Sequence, residues 1–264
     1  MPGLDIESVY RLVIFTLVLV LLLLAEQLFP ARPDHYATRL KSNLSLQGIN
    51  LLIQVGVPLT LTAAALYAVY ETTGLFNTVL GAYGLWTKII ICWVVIDLVM
   101  YWLHRAYHGI GFLWRVHRLH HGDLAVDVTT TFRTHPIEIL FTLFVRAITI
   151  VMLGMPLLGV IIYEVLLAAM AIVIHANIRM HSGVDRILRA AVVTPGMHFI
   201  HHGRRPEDYN SNFGLVLSVW DRVFGTYRHA SIESAGMAPG LQALAAPHLQ
   251  KLLPLLMMPF KKLD

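Results

Sequence analysis

Cysteine is nearly absent from this chain, since Cys92 is the single cysteine among 264 residues. One cysteine cannot form an internal disulfide, and it cannot supply the Cys-x-x-Cys pairs of zinc ribbons or thiol redox sites. The sequence also lacks a His-Glu-x-x-His motif, which excludes the zinc metalloprotease class. It has neither a ferredoxin-like set of cysteines nor a Gly-x-Gly-x-x-Gly nucleotide loop. Redox chemistry in this protein would therefore need electrons from a separate protein.

Charged residues are also scarce. They make up 14% of the chain and apolar residues 56%, whereas an ordinary soluble domain is about a quarter charged and about half apolar. This composition indicates a membrane protein, and the length suits one compact membrane domain over residues 1–264. The net charge of +4 is a small surplus that loops can carry as a topology signal, and it requires no nucleic acid partner.

Long apolar runs are what the sequence has instead, and a helix needs about 20 such residues to cross a bilayer. The candidate spans are Leu12–Phe29, Leu46–Tyr70, Leu85–Leu103, Ile137–Leu153 and Leu157–Ile174. We expect Pro58 to kink the second span and the break at Gly154-Met155-Pro156 to make the last two a helical hairpin. The fold class predicted is an all-α integral membrane protein with four to five membrane helices. Residues 241–264, interrupted by prolines, are expected to lie at the membrane interface.

Two charges lie inside the predicted hairpin. Arg146 and Glu164 are each nine residues from Met155, at the centre of the break. In an antiparallel hairpin they stand at the same depth, and pairing would reduce the cost of placing each charge in hydrocarbon. We expect an ion pair that fixes the hairpin register, the alternative being that each charge faces a separate polar cavity or reaches the rim.

Positive charge separates the loops into two groups. Residues 30–45 are basic, whereas residues 71–84 contain one acid and no base. Segments 104–136 and 176–229 are again basic, the second with seven arginines against four acids. Because basic loops stay on the cytoplasmic side, we expect both segments to form a cytosolic cap.

Histidine is abundant, with fourteen in the chain, and eleven of them fall in residues 104–135 and 175–202. Three groups have helical ligand spacing: His104-x3-His108, His117-x2-His120-His121 and His198-x2-His201-His202. Residues three or four apart share a helix face, so each group can direct two or three ring nitrogens toward one point. A solvated polar face would not use the same residue eight times while Lys and Glu stay scarce.

Eight imidazoles exceed the needs of one tetrahedral metal, so two metal ions are predicted. Imidazole suits iron, copper, nickel and zinc alike. The Glu-x-x-His motif of soluble di-iron bundles is absent. By analogy, a nitrogen-rich pair of metals beneath a bilayer points to iron acting on O2 and a lipid.

The sequence resembles the fatty acid hydroxylase and sterol desaturase superfamily of membrane di-iron oxygenases over about residues 40–230. The matching motifs are Asp97-x3-Tyr101-x2-His104-Arg105-x2-His108, Leu113-Trp114-Arg115-x-His117-x2-His120-His121, Arg133-x-His135-Pro136-x-Glu138, His175-x-Asn177, Thr194-Pro195-x2-His198-x2-His201-His202, Asn210-x-Asn212-x-Gly214 and Trp220-Asp221-Arg222-x-Phe224-Gly225-Thr226-Tyr227. The resemblance implies a helical membrane fold, two irons that zinc can replace on purification, O2 as co-substrate, and an electron donor of ferredoxin, rubredoxin or cytochrome type. It is closest in kind to short bacterial members, so we expect the inner membrane, with the metal site facing the cytoplasm.

The resemblance also adds a ninth ligand. His175 matches the first position of a further ligand pair, whereas the second position holds Arg179. His181 is the nearest substitute, but six residues along a helix place it about 120° away, and a surface position at a helix end is the alternative. His135 precedes a proline and so lies in extended backbone. It is expected to support the site or line its entrance rather than bind metal.

Several acidic residues accompany the histidines. Asp97 shares a helical stripe with Tyr101, His104 and His108, but lies about 10 Å from His104. We therefore expect a relay through Tyr101 or a partner on another span. The acids after the ligand groups have two open interpretations: they accept the outer N–H of ligating histidines, or they pair with nearby arginines. The residues concerned are Asp123, Asp127 and Glu138 on one side and Arg115, Arg118 and Arg133 on the other. Residues 210–227 are expected to pack the cap.

Together these features predict a C–H hydroxylase of a lipid-like substrate. A desaturase with the same two irons is the first alternative, because the ligand set does not distinguish the two outcomes. A metal-binding transporter is the second. Transporters place their ligands near the bilayer midplane, whereas these histidines lie in the basic segments.

Overall fold

The structure, a computed structural model, describes residues 6–32, 39–54, 74–229 and 238–261. Within these ranges the chain consists of α-helices and short 3-10 turns, with three isolated β-bridges and no sheet. The prediction of an all-α protein is confirmed.

Three helices in the described ranges are long and apolar enough to cross a membrane: α4 (Leu85–Gly109), α6 (Pro136–Leu153) and α7 (Leu157–His175). Helix α1 (Ile6–Leu28) contains most of the first predicted span. Helix α2 occupies 39–54, and α3 covers Leu75–Val79. The second predicted span beyond residue 54, including Pro58, lies outside the described residues.

Helix α4 runs six residues beyond the span predicted from its apolar run. The added turns carry His104 and Tyr107, both buried, so polar side chains that face the protein interior allow the helix to continue. At Ile110 the backbone is extended, and α5 (Gly111–His121) starts at the next residue. This turn directs the histidines of α5 back toward those of α4.

The predicted hairpin between α6 and α7 is present. Helix α6 begins at Pro136, and the ring of His135 accepts a hydrogen bond from the Ile137 amide. It ends at Gly154, whose φ of 61° is the left-handed conformation that favours glycine. A Cβ on Gly74 would lie 2.2 Å from the Gly154 Cα, so both glycines are required where this turn meets the start of α3.

The two hairpin charges meet as predicted, since the Arg146 guanidinium contacts the Glu164 carboxylate. Beneath them, side chains of α4, α6 and α7 form the main apolar core, which includes Met100, Ile150 and Val160.

The remaining helices are short and form the cap: α8 (Ser182–Leu188), α9 (Pro195–His201), α10 (Pro206–Tyr209), α11 (Val219–Val223) and α12 (Leu252–Met257). The C-terminal segment packs through Leu244, Leu255 and Met258 against Leu46 of α2 and Leu119 of α5. The placement of residues 241–264 at a membrane interface stays a prediction.

Candidate metal centre

Nine histidines meet between one end of the long apolar helices and the cap. They form two groups, in each of which one ring nitrogen per residue lies within 4.8 Å of all the others. The five-histidine cluster consists of His104, His108, His117, His121 and His201, and the four-histidine cluster of His120, His175, His198 and His202. These are the nine residues predicted as ligands, and the fold brings all of them together.

Each His-x2-His-His motif is divided between the two clusters. In α5, His117 and His121 belong to the five-histidine cluster, whereas His120 belongs to the four-histidine cluster. Of the two or three ring nitrogens that each motif was expected to direct toward one point, two do so, and the third belongs to the other cluster. Residues i and i+4 share a face, but adjacent residues diverge by about 100° around a helix.

Helix α9 divides its motif in the opposite sense. His198 and His202, four residues apart, join the four-histidine cluster, and His201 joins the five-histidine cluster. The paired motifs therefore build two adjacent sites from two short helices, with His175 from the end of α7 completing the second site.

Four ring nitrogens converge in the four-histidine cluster. The Nε2 atom of His175 lies 3.0 Å from that of His120, 3.0 Å from that of His198 and 3.2 Å from that of His202. The opposite nitrogens of His175 and His120 face the carbonyl oxygens of Ala171, at 2.6 Å, and Arg133, at 3.2 Å. A carbonyl only accepts, so Nδ1 holds the proton in both rings and Nε2 presents a lone pair. Converging lone pairs repel unless a cation lies between them.

The spacing of these nitrogens also suits a metal. A tetrahedral ion with bonds of about 2.0–2.1 Å holds its nitrogen ligands about 3.3 Å apart, close to the separations in this cluster. The donor set of four neutral imidazoles therefore fits a divalent transition metal.

The five-histidine cluster is arranged in the same way. His104 donates from Nδ1 to the Phe213 carbonyl, at 2.8 Å, and His201 to the Ser211 carbonyl, at 2.7 Å. The Nε2 atoms of His117 and His201 and both ring nitrogens of His108 and His121 are buried without a hydrogen-bond partner. Buried polar atoms are almost always satisfied, so this group of unsatisfied nitrogens also fits a bound cation.

Burial keeps the cap histidines neutral. Desolvation, and then the neighbouring imidazoles, lower the pKa of His120, His121, His198 and His202 well below the usual value. Desolvation likewise lowers the pKa of His201 to about 3. Only the neutral ring binds a metal, so the site is prepared to accept one at neutral pH.

Two further histidines lie outside both clusters. His135 caps α6 through Nδ1, and its Nε2–H donates to the Leu256 carbonyl at 3.1 Å. His181 is exposed and caps α8. Both rings lie at helix starts, and for His181 this is the surface position at a helix end that was the alternative to metal binding.

The acids that follow the ligand groups have different roles. Glu138 accepts a hydrogen bond from Nδ1 of His117 at 2.8 Å, which fixes that ring with Nε2 toward the cluster. The carboxylates of Asp123 and Asp127 accept no hydrogen bond from a clustered histidine and form no ion pair with Arg115, Arg118 or Arg133. They bind instead the guanidinium of Arg39 on α2, with 2.7 Å between Arg39 Nη1 and the Asp123 carboxylate. Both interpretations offered for these two aspartates are corrected.

Arg118 and Arg133 are instead held by the C-terminal segment and by carbonyl groups. Arg133 is fully buried and donates to Gln250 at 2.8 Å. Arg118 donates to the carbonyls of Met258 and Lys261, each at 2.7 Å.

The loop after α10 orients two ligands. Its carbonyls at Ser211 and Phe213 receive the bonds from His201 and His104 described above. Asp221 holds this loop by accepting from the amides of Phe213 and Gly214, at 2.7 and 2.9 Å. The 210–227 segment therefore packs the cap, as predicted, and its packing sets the tautomer of two rings.

Asp97 has a partner on another span. Its carboxylate accepts from the hydroxyl of Tyr163 on α7 at 3.1 Å and from the indole of Trp220 in the cap at 2.8 Å. Tyr101 does not relay to it, since its hydroxyl bonds Thr226 at 2.8 Å. Asp97 therefore joins α4, α7 and the cap.

Two residues that connect the helices to the site were not found from the sequence. Glu26 of α1 accepts from the amides of Val128, at 2.9 Å, and Asn177, at 2.6 Å. Arg39 was considered only as part of the basic segment 30–45, which was used to predict the orientation in the membrane. The signal for Glu26 was its position as an acid at the end of an otherwise apolar run.

A cavity of about 190 Å³ lies directly below both clusters. Its wall contains imidazoles from each cluster, among them His104, His117 and His175, and apolar side chains of α4, α6 and α7 such as Leu103 and Leu167. Threonines 131, 134 and 142 add hydroxyl groups. The cavity can hold an apolar chain with one carbon next to the clustered nitrogens.

Comparison with known proteins identifies the same region. The family model of the fatty acid hydroxylases matches residues 89–226, which is slightly more than half of the chain and includes all nine clustered histidines. No solved structure matches the chain significantly.

Three curated relatives illustrate the range of similar proteins. The ornithine lipid hydroxylase of Rhizobium tropici is 31% identical over 143 residues, covering 54% of this chain and 42% of that protein. The alkylglycerol monooxygenase of Xenopus tropicalis is 31% identical over 133 residues, covering 50% and 28%. A very-long-chain aldehyde decarbonylase of Oryza sativa is 25% identical over 153 residues, covering 52% and 22%. This chain thus spans less than half the length of these relatives.

Proposed function

Because the chain belongs to the fatty acid hydroxylase family, we propose that it is an O2-dependent hydroxylase that converts a C–H bond of a membrane lipid into an alcohol. The observation that carries the proposal is the convergence of nine imidazoles on two points directly above an apolar cavity. The names of two relatives, an ornithine lipid hydroxylase and an alkylglycerol monooxygenase, support a lipid with a polar headgroup as the substrate.

The two clusters would hold one iron each, and the pair of irons would supply the capacity to activate O2. In the overall reaction the lipid C–H bond and O2, with two electrons and two protons, give the alcohol and water. The chain's own contribution is to hold the imidazoles neutral and oriented through Glu138 and the carbonyls of Phe213, Ser211, Ala171 and Arg133. The apolar wall excludes water and positions one substrate carbon under the centre.

The proposed setting is the inner membrane of a bacterium, with the clusters on the cytoplasmic side. The basic segments 104–136 and 176–229 support this orientation. A cytoplasmic centre can receive electrons from a soluble carrier of ferredoxin, rubredoxin or cytochrome type.

Metal analysis tests the centre. Anaerobically purified protein is expected to contain about two irons per chain, because each cluster offers at least the four nitrogens of one site. His120→Ala and His201→Ala each remove one ligand from a different cluster and should lower the iron content and abolish turnover. His248→Ala, an exposed histidine outside both clusters, is the matched control. Full activity in either cluster variant contradicts the proposal, whereas an inactive zinc-loaded preparation is expected from the ligand chemistry.

The reaction type is tested by comparing the lipids of a deletion strain with those of the wild type. A hydroxylase predicts a species in the wild type that is heavier by one oxygen atom. A species lighter by two hydrogens would instead identify a desaturase.

A further inference from the structure

An aromatic pair packs on the five-histidine cluster and does not line the cavity. The rings of Trp114, on α5, and Tyr209, at the end of α10, are stacked with their centroids 5.1 Å apart and their planes 19° from parallel. Both residues are partly exposed. The pair therefore reaches from the protein surface toward the buried imidazoles.

The pair contacts the metal-binding rings directly. The Trp114 centroid lies 5.0 Å from that of His108 and 5.6 Å from that of His121. Tyr209 lies 6.2 and 6.3 Å from the same two rings. Among the residues that the structure describes, no tryptophan, tyrosine or phenylalanine ring packs in this way on the four-histidine cluster. The two clusters thus differ in their connection to the surface.

Arginines flank both members of the pair in the sequence. Arg115 follows Trp114 in α5 and is partly exposed, and Arg204 and Arg205 precede α10 and are exposed. Arg205 pairs with Asp208 at 2.7 Å, and Asp208 also binds Arg228 at 2.9 Å. Glu207 is the other acid among the described residues 204–210, so the arginines named here outnumber the two acids by two. A surface of this sign attracts an acidic partner.

On the basis of the proposed function, we propose that the Trp114–Tyr209 pair is the place where a small acidic one-electron carrier protein docks and delivers its electrons. Electron transfer slows steeply with distance, and stacked rings in contact with His108 and His121 shorten the path from the surface. Each turnover oxidises two reduced carriers by one electron each. With two protons, these two electrons and the electron pair of the lipid C–H bond reduce O2, so that one oxygen atom becomes the hydroxyl of the alcohol and the other leaves as water. Redox encounters of this kind bury small interfaces, below about 1,200 Å².

Anaerobic reduction kinetics test the pair with two reductants. The first is an acidic [2Fe–2S] ferredoxin kept reduced by its reductase, and the second is dithionite with methyl viologen, which needs no docking surface. Trp114→Leu and Tyr209→Leu should slow reduction by ferredoxin several-fold and leave reduction by viologen and the iron content unchanged. Trp102→Leu is the matched control, because Trp102 is exposed on α4 and packs on Tyr101 and Phe224 rather than on an imidazole.

The charges are tested through binding. The double variant Arg115→Glu and Arg204→Glu should weaken ferredoxin binding to the zinc-loaded protein by about tenfold and flatten its dependence on salt. Arg186→Glu, an exposed arginine on α8, should leave binding unchanged. Binding is measured without turnover, so this result does not depend on catalysis.

Two outcomes would overturn the proposal. Ferredoxin-driven reduction that is unchanged in both aromatic variants would exclude the pair as the entry point. Equal slowing with both reductants would assign Trp114 and Tyr209 to packing, or to anchoring at the membrane interface. If Trp114→Leu loses iron, the reduction kinetics of Tyr209→Leu decide the result, because Tyr209 lies farther from His108 and His121 than Trp114 does. A wild-type protein that binds iron but is reduced by neither reagent would instead contradict the proposed oxygenase function.

Discussion

Replacing Glu138 should weaken metal binding at the five-histidine cluster and leave it unchanged at the four-histidine cluster. Its carboxylate accepts from Nδ1 of His117 at 2.8 Å, and the Glu138 side chain is only 9% exposed. Glu138→Ala would leave a buried N–H without an acceptor and release the ring of His117. Loss of such a partner costs about 10–100-fold in metal affinity, or about 1.4–2.7 kcal/mol. Because water has little access to the position, we expect a loss near the upper end.

The conservative variant should behave differently. Glu138→Gln keeps an oxygen that accepts the same bond but removes the charge, and charge-assisted bonds are about twice as strong as neutral ones. We expect a loss of about tenfold or less for this variant.

Competition with a chromophoric chelator, followed by metal analysis, measures both effects. In Glu138→Ala the metal content should fall from two toward one, because the four-histidine cluster does not contact this carboxylate. Glu207→Ala, an exposed acid of the cap, is the control. Two metals held with wild-type affinity in Glu138→Ala would refute the role of the carboxylate, and simultaneous loss of both metals would refute the independence of the clusters.

Two further predictions concern the membrane region. Arg146→Met and Glu164→Gln should each lower the free energy of unfolding in detergent, by about 1–3 kcal/mol because the glutamate is partly exposed. The double variant should recover part of this loss. Strictly additive losses would show that the contact contributes nothing. Reporter fusions near residue 78 should lie outside the cytoplasm and those near residues 125 and 208 inside, and a periplasmic signal at 125 would reverse the proposed orientation.

The sequence identified the clustered histidines but not their distribution between the two clusters. Helical spacing selected eight histidines, and the family resemblance added His175, because short-range periodicity is a property of the helix itself. Which metal site each ring joins depends on how α5 and α9 rotate against each other. No local sequence pattern predicts that rotation, so only the fold shows how each motif divides between the two clusters.

The acids illustrate the same limit. Charge and proximity along the chain suggested arginines 115, 118 and 133 as partners for Asp123 and Asp127, whereas the actual partner is Arg39, which lies more than 80 residues earlier. Asp97 likewise meets Trp220 across 123 positions. Such pairings depend on which helices are neighbours, and many arrangements satisfy the same charges.

The sequence by itself determined the membrane class, the hairpin at Gly154 and the groups of histidines at helical ligand spacing. These follow from composition, from local turn preferences and from the chemistry of single side chains. The Arg146–Glu164 contact was also predictable, because a tight turn fixes the register of its two helices. Only the tertiary structure determined how the histidines divide into two clusters, that the Glu138 carboxylate binds His117, and that an aromatic pair packs beside His108. Each of these depends on distances between elements remote in sequence, which long-range packing alone sets.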